Sequence, residues 1–248
     1  MIDLRLGRYQ DVLGDVECDA LIVDAPYSER THVSHSARTE ILGTGNTCER
    51  DARWAARGGK RGTIEYPRWD AGTVRAFVEH WHPRTRGWFV TITDHVLAPI
   101  WAAELERFDR YVFSPLACVD AGSRVRLVGD GPSQWSVWAI VARPRTVAKW
   151  GTLPGAYVVP AGQRGATADR KTVIGGKPMW LMRSLVRDYS RPGDLVCDPC
   201  AGGGTTLLAA AIEGRRAVGA EMLPEHYELA RARIGRGYTP TLFTDTAE

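Results

Sequence analysis

The sequence predicts an α/β domain built on a mostly parallel, twisted sheet with helices on both faces. Three observations predict it. Short apolar runs, each bounded by polar, Gly or Pro residues, recur along the chain and read as buried strands. Stretches with apolar residues at helical spacing lie between them, the alternation expected of a parallel sheet. One run, Leu195–Asp198, passes into a glycine-rich turn that opens a helix.

The elements follow in order. Ala20–Asp24 is the first strand, and it delivers Asp24-Ala25-Pro26-Tyr27 at its carboxyl end. Pro26 fixes its own φ and keeps Ala25 out of helix. Ser28–Trp69 is polar, rich in Gly, Ser, Thr and Arg, and without a period, so it reads as a long loop. Thr73–His82 carries Val74, Phe77, Val78 and Trp81 on one helical face. Trp88–Thr93 is a strand, and Val96–Phe108 a helix with Ile100, Leu105 and Phe108. Tyr111–Phe113 and Trp135–Ala142 are further strands. Arg145–Gly176 is a second irregular stretch with many glycines. Loops this long are usually functional or disordered. Met179–Tyr189 follows Pro178, a favoured first helical residue. Leu195–Asp198, Thr205–Glu213, Ala217–Glu221 and Pro224–Ile234 complete the alternation.

The chain has 248 residues, which suits a single domain over 1–248. With 44% hydrophobic and 25% charged residues it is neither wholly disordered nor collagen-like. No apolar run approaches the roughly 20 residues of a membrane helix. Met1–Arg5 alternates apolar and charged residues, unlike a signal peptide, so a cytoplasmic protein is expected. Five cysteines, an odd count in a chain this large, do not form a disulfide framework. The net charge is only +3, but its distribution is uneven. Arg38–Arg86 is rich in arginine, and Arg143–Lys177 contains Asp169 as its one acid. Two basic stretches around a less basic core suit a polyanion such as nucleic acid, solvated loops being the alternative.

Two segments carry the chemistry. In Cys197-Asp198-Pro199-Cys200-Ala201-Gly202-Gly203-Gly204-Thr205-Thr206, glycines let the backbone turn sharply and approach a ligand. About twenty residues later a strand ends in Glu221, where nucleotide-binding βαβ units place an acid for ribose hydroxyls. An adenosine-containing cofactor is expected. No Lys-Ser/Thr follows the last glycine, which excludes a Walker loop, and Leu207 breaks the dinucleotide pattern. In the second segment Asp24 sits at a strand's carboxyl end, where α/β sheets bind ligands. Cys197 and Cys200 have C-x-x-C spacing but no second pair, so zinc is not expected. His32, His35 and Cys48 match no common metal spacing, and His80 and His82 flank Trp81 in a capping or packing role.

Together these segments resemble motif IV (D/N/S-P-P-Y) and motif I (D-P-F-x-G-x-G-T-T) of the S-adenosylmethionine-dependent amino-methyltransferases of DNA. Lys177-Pro178-Met179-Trp180-Leu181 resembles the K-P-x-x-L of motif X, and Glu221-Met222-Leu223-Pro224-Glu225-His226-Tyr227 resembles the E-x-x-P-E-Y segment after motif I. With motif IV first and motif I near the C-terminus, the order is that of the β group. Ala25 replaces the first proline of motif IV, and Cys200 replaces the phenylalanine of motif I.

The resemblance implies a Rossmann-like methyltransferase fold with permuted motif order. It implies S-adenosyl-L-methionine held by Asp198, Pro199, Cys200, Ala201, Gly202, Gly204, Thr205, Thr206, Glu221, Lys177 and Pro178, and no metal. It implies a catalytic set of Asp24, Pro26 and Tyr27, with Asp24, Ala25 and Tyr27 receiving a base flipped from duplex DNA. Asp beginning motif IV goes mostly with adenine N6 in the family, and Ser with cytosine N4. Adenine N6 is therefore expected, with cytosine N4 or a catalytically silent DNA-binding protein as alternatives. The basic loop at 28–69 directly follows Tyr27 and offers Arg50, Arg53, Arg57, Lys60 and Arg61 to phosphates. Segment 145–176 is the candidate for target recognition. Members of the group often dimerise, which admits a homodimer.

Overall fold

A computed structural model describes residues 1–32, 66–120, 134–146, 150–159 and 175–237. In chain order its elements are β1 (Ile2–Leu6), α1 (Tyr9–Val12), β2 (Ala20–Asp24), α2 (Ala71–Trp81), β3 (Phe89–Thr93), α3 (Ala98–Arg107), β4 (Arg110–Val112), β5 (Leu116–Asp120), β6 (Ser136–Pro144), β7 (Ala156–Val159), α4 (Met179–Tyr189), β8 (Leu195–Asp198), α5 (Thr205–Ile212), β9 (Arg216–Glu221) and α6 (Pro224–Arg236). The strands form one sheet in the order β1-β9-β8-β2-β3-β6-β5-β7, with β4 also beside β6. Only β6 runs against its neighbours β3, β4 and β5; every other pairing is parallel.

Period-two alternation within the central strands builds two cores, one on each face. Ala20 and Ile22, Val90 and Ile92, and Val196 point to one face, where Leu181, Leu185 and Leu207 from α4 and α5 cover them. Leu21 and Val23, Phe89, and Cys197 point to the other, against Val74, Phe77, Trp81 and Trp101 from α2 and α3. Strands buried on both faces read as unbroken apolar runs, which is why these were legible as strands.

Helix α2 starts two residues before the apolar pattern does. The Asp70 carboxylate accepts hydrogen bonds from the Thr73 amide and hydroxyl, both at 2.8 Å, and so caps the helix. Two buried arginines close the far ends of α2 and α4. Arg110 donates to the carbonyls of Gly87 at 2.8 Å and His82 at 3.0 Å, and also to that of Thr85. Burial pushes its guanidinium down to about 10. Arg215 donates to the Ser190 hydroxyl at 2.9 Å and carbonyl at 2.8 Å. His82 and Ser190 are the C-caps of these helices, where a cation meets the negative end of the helix dipole.

The structure adds elements to the sequence reading. Ile2–Leu6, whose alternation of apolar and charged residues suits a half-buried strand, pairs with β9 from Ile2↔Ala217 to Leu6↔Glu221. β5, which the sequence reading lacked, follows β4 along one side of β6 after Phe113-Ser114-Pro115, where a proline has no N–H to give a ladder. Segment 145–176, read as irregular, contains β7, parallel to β5, with Tyr157 and Val159 facing the core. Among the described residues no helix is long and apolar enough to cross a membrane.

Candidate functional site

β2 and β8 are neighbours, but their connections leave in opposite directions. From β8 the chain passes through α5 to β9 on one side, while β3, next after β2, lies on the other. Such a switch point opens a crevice beyond the carboxyl ends of the strands. The ends found there are Asp24 and Asp198, and the crevice is a cleft of about 280 Å³.

The glycine-rich turn forms one wall. Gly204 has φ +73°, and a Cβ there would press on Ala230 of α6 at 3.3 Å. Gly219 lies so close to β8 that a Cβ would sit 2.7 Å from the Asp198 carbonyl oxygen. The Glu221 carboxylate, only 7% exposed, accepts the amide of Gly202 at 2.8 Å and that of Leu223 at 2.7 Å. Both oxygens are thereby fixed at the cleft wall, each retaining a lone pair for a ligand hydroxyl. Arg233 of α6 ties the turn from behind, donating to the Gly203 carbonyl at 3.1 Å and to the Thr205 hydroxyl at 2.8 Å.

Asp198 is 1% exposed and is pushed up to about 7. Burial is the main cause, and the charges of Asp24 and Glu221 add to it. Hydrogen bonds from Thr206 and from the Cys200 amide at 3.1 Å offset part of the rise. Three carboxyl groups thus share one crevice; Asp24 is paired by Lys177, and Asp198 and Glu221 leave a field that favours a cationic ligand.

The opposite wall is Asp24-Ala25-Pro26-Tyr27. The Tyr27 hydroxyl lies 3.4 Å from Asp24 Oδ1, and burial holds the phenol well above its ordinary range. Lys177 reaches across from the start of α4 to Asp24, with Nζ 2.8 Å from Oδ1. Behind this wall Asp94, at the end of β3, gathers the chain that leaves Tyr27. Its Oδ2 accepts the Ser28 amide at 3.0 Å and the hydroxyls of Ser28 and Thr31, both at 2.6 Å. Its Oδ1 accepts the amides of Val96 and Leu97. Burial alone would raise this carboxyl, but these hydrogen bonds outweigh it and hold it below the ordinary carboxylate range. The Trp69 amide donates to the Tyr27 carbonyl at 3.0 Å, so both ends of the 28–69 segment meet at the cleft.

The structure thus brings Asp24, Ala25, Pro26, Tyr27, Lys177, Asp198, Pro199, Cys200, Ala201, Gly202, Thr205, Thr206 and Glu221 to one cleft. Gly204 and Pro178 do not line it. Gly204 turns the chain beneath α6, and Pro178 is the N-cap of α4. Arg50, Arg53, Arg57, Lys60 and Arg61 lie outside the described residues, as do His35 and Cys48. Sequence reasoning missed Asp94, although it follows an apolar strand just as Asp24 does. It also missed Tyr66, which lines the cleft and meets the His32 ring edge-on at 5.3 Å. Nothing in the sequence marks that tyrosine. His80 and His82 are packing residues, set against Tyr9 at 5.3 Å and Phe108 at 4.2 Å.

Residues 162–232 match a family model described as DNA methylase, N6_N4_Mtase. Over 57 residues the chain is 42% identical to the type II methyltransferase M.MthZI of Methanothermobacter thermautotrophicus, covering 23% of this chain and 16% of that protein. The matched segments span 16–26% of the length of the curated relatives. The crystal structure of an M1.HpyAVI–SAM complex superposes with a TM-score of 0.65 at 17% identity, over 94% of this chain and 99% of that one. The cytosine-N4-specific PvuII DNA methyltransferase does so with a TM-score of 0.59 at 12% identity, over 99% and 88%. At these identities the superpositions speak for a shared fold, and the matched segment is the part of the chain that builds the glycine-rich wall of the cleft. Over residues 162–232 the chain is similar to the family that this model describes.

Proposed function

We propose that this protein transfers the methyl group of S-adenosylmethionine to the exocyclic N6 of adenine in DNA, after the base is flipped from the duplex. One observation carries the reading. The Asp24 carboxylate and the glycine-rich turn, 174 residues apart by number (198 − 24), face each other across one cleft.

The cleft fits the cofactor. Glu221 offers two fixed acceptors to ribose hydroxyls, and the Asp198 and Glu221 carboxyls favour a sulfonium cation. When bound, S-adenosylmethionine supplies an electrophilic methyl group on positive sulfur. The protein's residues do the rest. The amino lone pair of a base is delocalised into the ring and is a poor nucleophile. Asp24 and the Ala25 carbonyl accept its N–H hydrogens, turn the lone pair toward the methyl group, and stabilise the positive charge that grows on nitrogen. Asp24 would also be placed to take the proton that leaves the amino nitrogen once it is methylated. Tyr27 offers its ring as a stacking face, worth about 1–3 kcal/mol per base.

The test is direct. The purified protein is incubated with unmethylated duplex DNA and S-adenosylmethionine, and the DNA is digested to nucleosides for mass spectrometry. N6-methyladenine is expected. N4-methylcytosine would keep the chemistry but overturn the choice of base, and no methylated nucleoside despite bound cofactor would overturn the reading.

Asp198 gives the cofactor site a pH dependence. A carboxyl raised to about 7 is largely protonated in mildly acidic solution. A cationic ligand prefers the ionised form, so S-adenosylmethionine affinity should rise as pH increases through about 7 and then level off. Folding runs the other way. The folded protein binds this proton more tightly than the unfolded chain, so its contribution to stability falls between about 4 and about 7. Asp198→Asn should flatten the affinity profile measured by calorimetry, whereas an unchanged profile would assign the dependence to another group.

A further inference from the structure

The acceptor that the proposed reaction needs is already taken. Lys177 Nζ lies 2.8 Å from Asp24 Oδ1 and 2.9 Å from Oδ2, so it bridges both oxygens. It donates a third hydrogen bond to the Gly175 carbonyl at 3.0 Å. The same nitrogen stands 4.8 Å from the centroid of the Tyr27 ring. Its side chain is 12% exposed and that of Asp24 22%. A target base would present an N–H donor nitrogen to Asp24 and lie over Tyr27. The lysine ammonium is an N–H donor nitrogen on Asp24 lying over Tyr27. It meets both requirements at once, and a group that only anchored Asp24 would not need the ring.

We propose that Lys177 is a resident stand-in for the target amine. It fills the acceptor and the aromatic face while no base is bound, and swings out on its flexible stem when a base arrives. The carboxylate is therefore never left buried and unpaired, a state costly to any protein. A base enters only by replacing the lysine's hydrogen bonds with its own. A base without an amino group has no N–H of that kind to offer, so the exchange itself favours amino-bearing bases. The proposal rests on the methyl-transfer reading for the identity of the incoming base. Lys177 becomes a positioning and selectivity residue, distinct from its expected part in holding the cofactor.

The test compares Lys177→Met, which removes the charge at similar length, with Lys177→Arg, which keeps it. The first readout needs no turnover: free adenine is titrated into each protein by calorimetry. Lys177→Met should bind adenine about fivefold or more tightly than the wild type, and Lys177→Arg no more tightly. The second readout is steady-state kinetics on unmethylated duplex. Lys177→Met should lower KM for DNA, and Lys177→Arg should not. Equal or weaker adenine binding by Lys177→Met, including no detectable binding by any form, would overturn the stand-in role. A fall in kcat with KM unchanged would leave Lys177 as a prop for Asp24, and a raised Kd for S-adenosylmethionine alone would leave it as a cofactor ligand; either also overturns it. If Lys177→Met does not fold, Lys177→Gln carries the same comparison. A wild type that methylates nothing would defeat the methyl-transfer reading, while the adenine titration still decides the role of Lys177.

Discussion

Asp24→Ala should lower methyl transfer by a factor of about 10² to 10³, the usual cost of losing one preorganised acceptor for developing charge. Cofactor affinity should stay within about threefold of wild type. The two effects separate because Asp198 and Glu221, the acids proposed to face the cofactor, stand on other strands with their own hydrogen bonds. The substitution also strips Lys177 of its ion-pair partner, so some stability is lost as well. Thermal unfolding beside the rate measurement distinguishes that loss from the catalytic one. If Asp24→Ala kept most of its rate, the amine would have to be oriented by other groups, and Asp24 would cease to be the acceptor.

Glu221→Ala should produce the opposite split. Its carboxylate holds the Gly202 and Leu223 amides and keeps lone pairs for two ribose hydroxyls. Hydrogen bonds to a charged group contribute about 1.5–3 kcal/mol each. Losing two to the ligand costs roughly 3 kcal/mol, or about a hundredfold in cofactor Kd. Turnover at saturating cofactor should fall far less, because Glu221 takes no part in orienting the amine. Glu221→Gln keeps one carbonyl acceptor and should lie between. Calorimetry with S-adenosylmethionine measures the Kd. An unchanged value in Glu221→Ala would remove Glu221 from the cofactor site and leave it as a clasp for the turn.

The central strands were legible in the sequence because they are buried on both faces and therefore apolar throughout. β2, β3, β8 and β9 appear within a residue of the expected bounds. The cleft was legible because its chemistry is local: Asp24-Ala25-Pro26-Tyr27 and Asp198–Thr206 are contiguous segments whose residue types declare their geometry. β1 and β7 were not legible. Each lies at an edge of the sheet, where half the side chains face water and the apolar signal is diluted. Asp94 was passed over because its work is done by five hydrogen bonds to groups distant or neighbouring in sequence, and no motif announces such a hub. The Lys177–Asp24 contact joins residues 153 apart, so only the folded chain could reveal it.

The strand order also governs how the chain emerges during synthesis. β1 is made before every other described strand, yet it pairs with β9, the last of them. β2 gains β3 early but waits for β8 on its other side. Roughly 200 residues separate β1 from its neighbour, and ribosomes add about 5–20 residues per second. For about 10–40 s the nascent chain carries apolar strands with open edges and no cradle for a cofactor. The wall of the cleft that carries Glu221 is completed only when β9 docks between β1 and β8. Newly made chains should therefore depend on chaperones that shield strand edges, and the cleft stays open until β9 has been made.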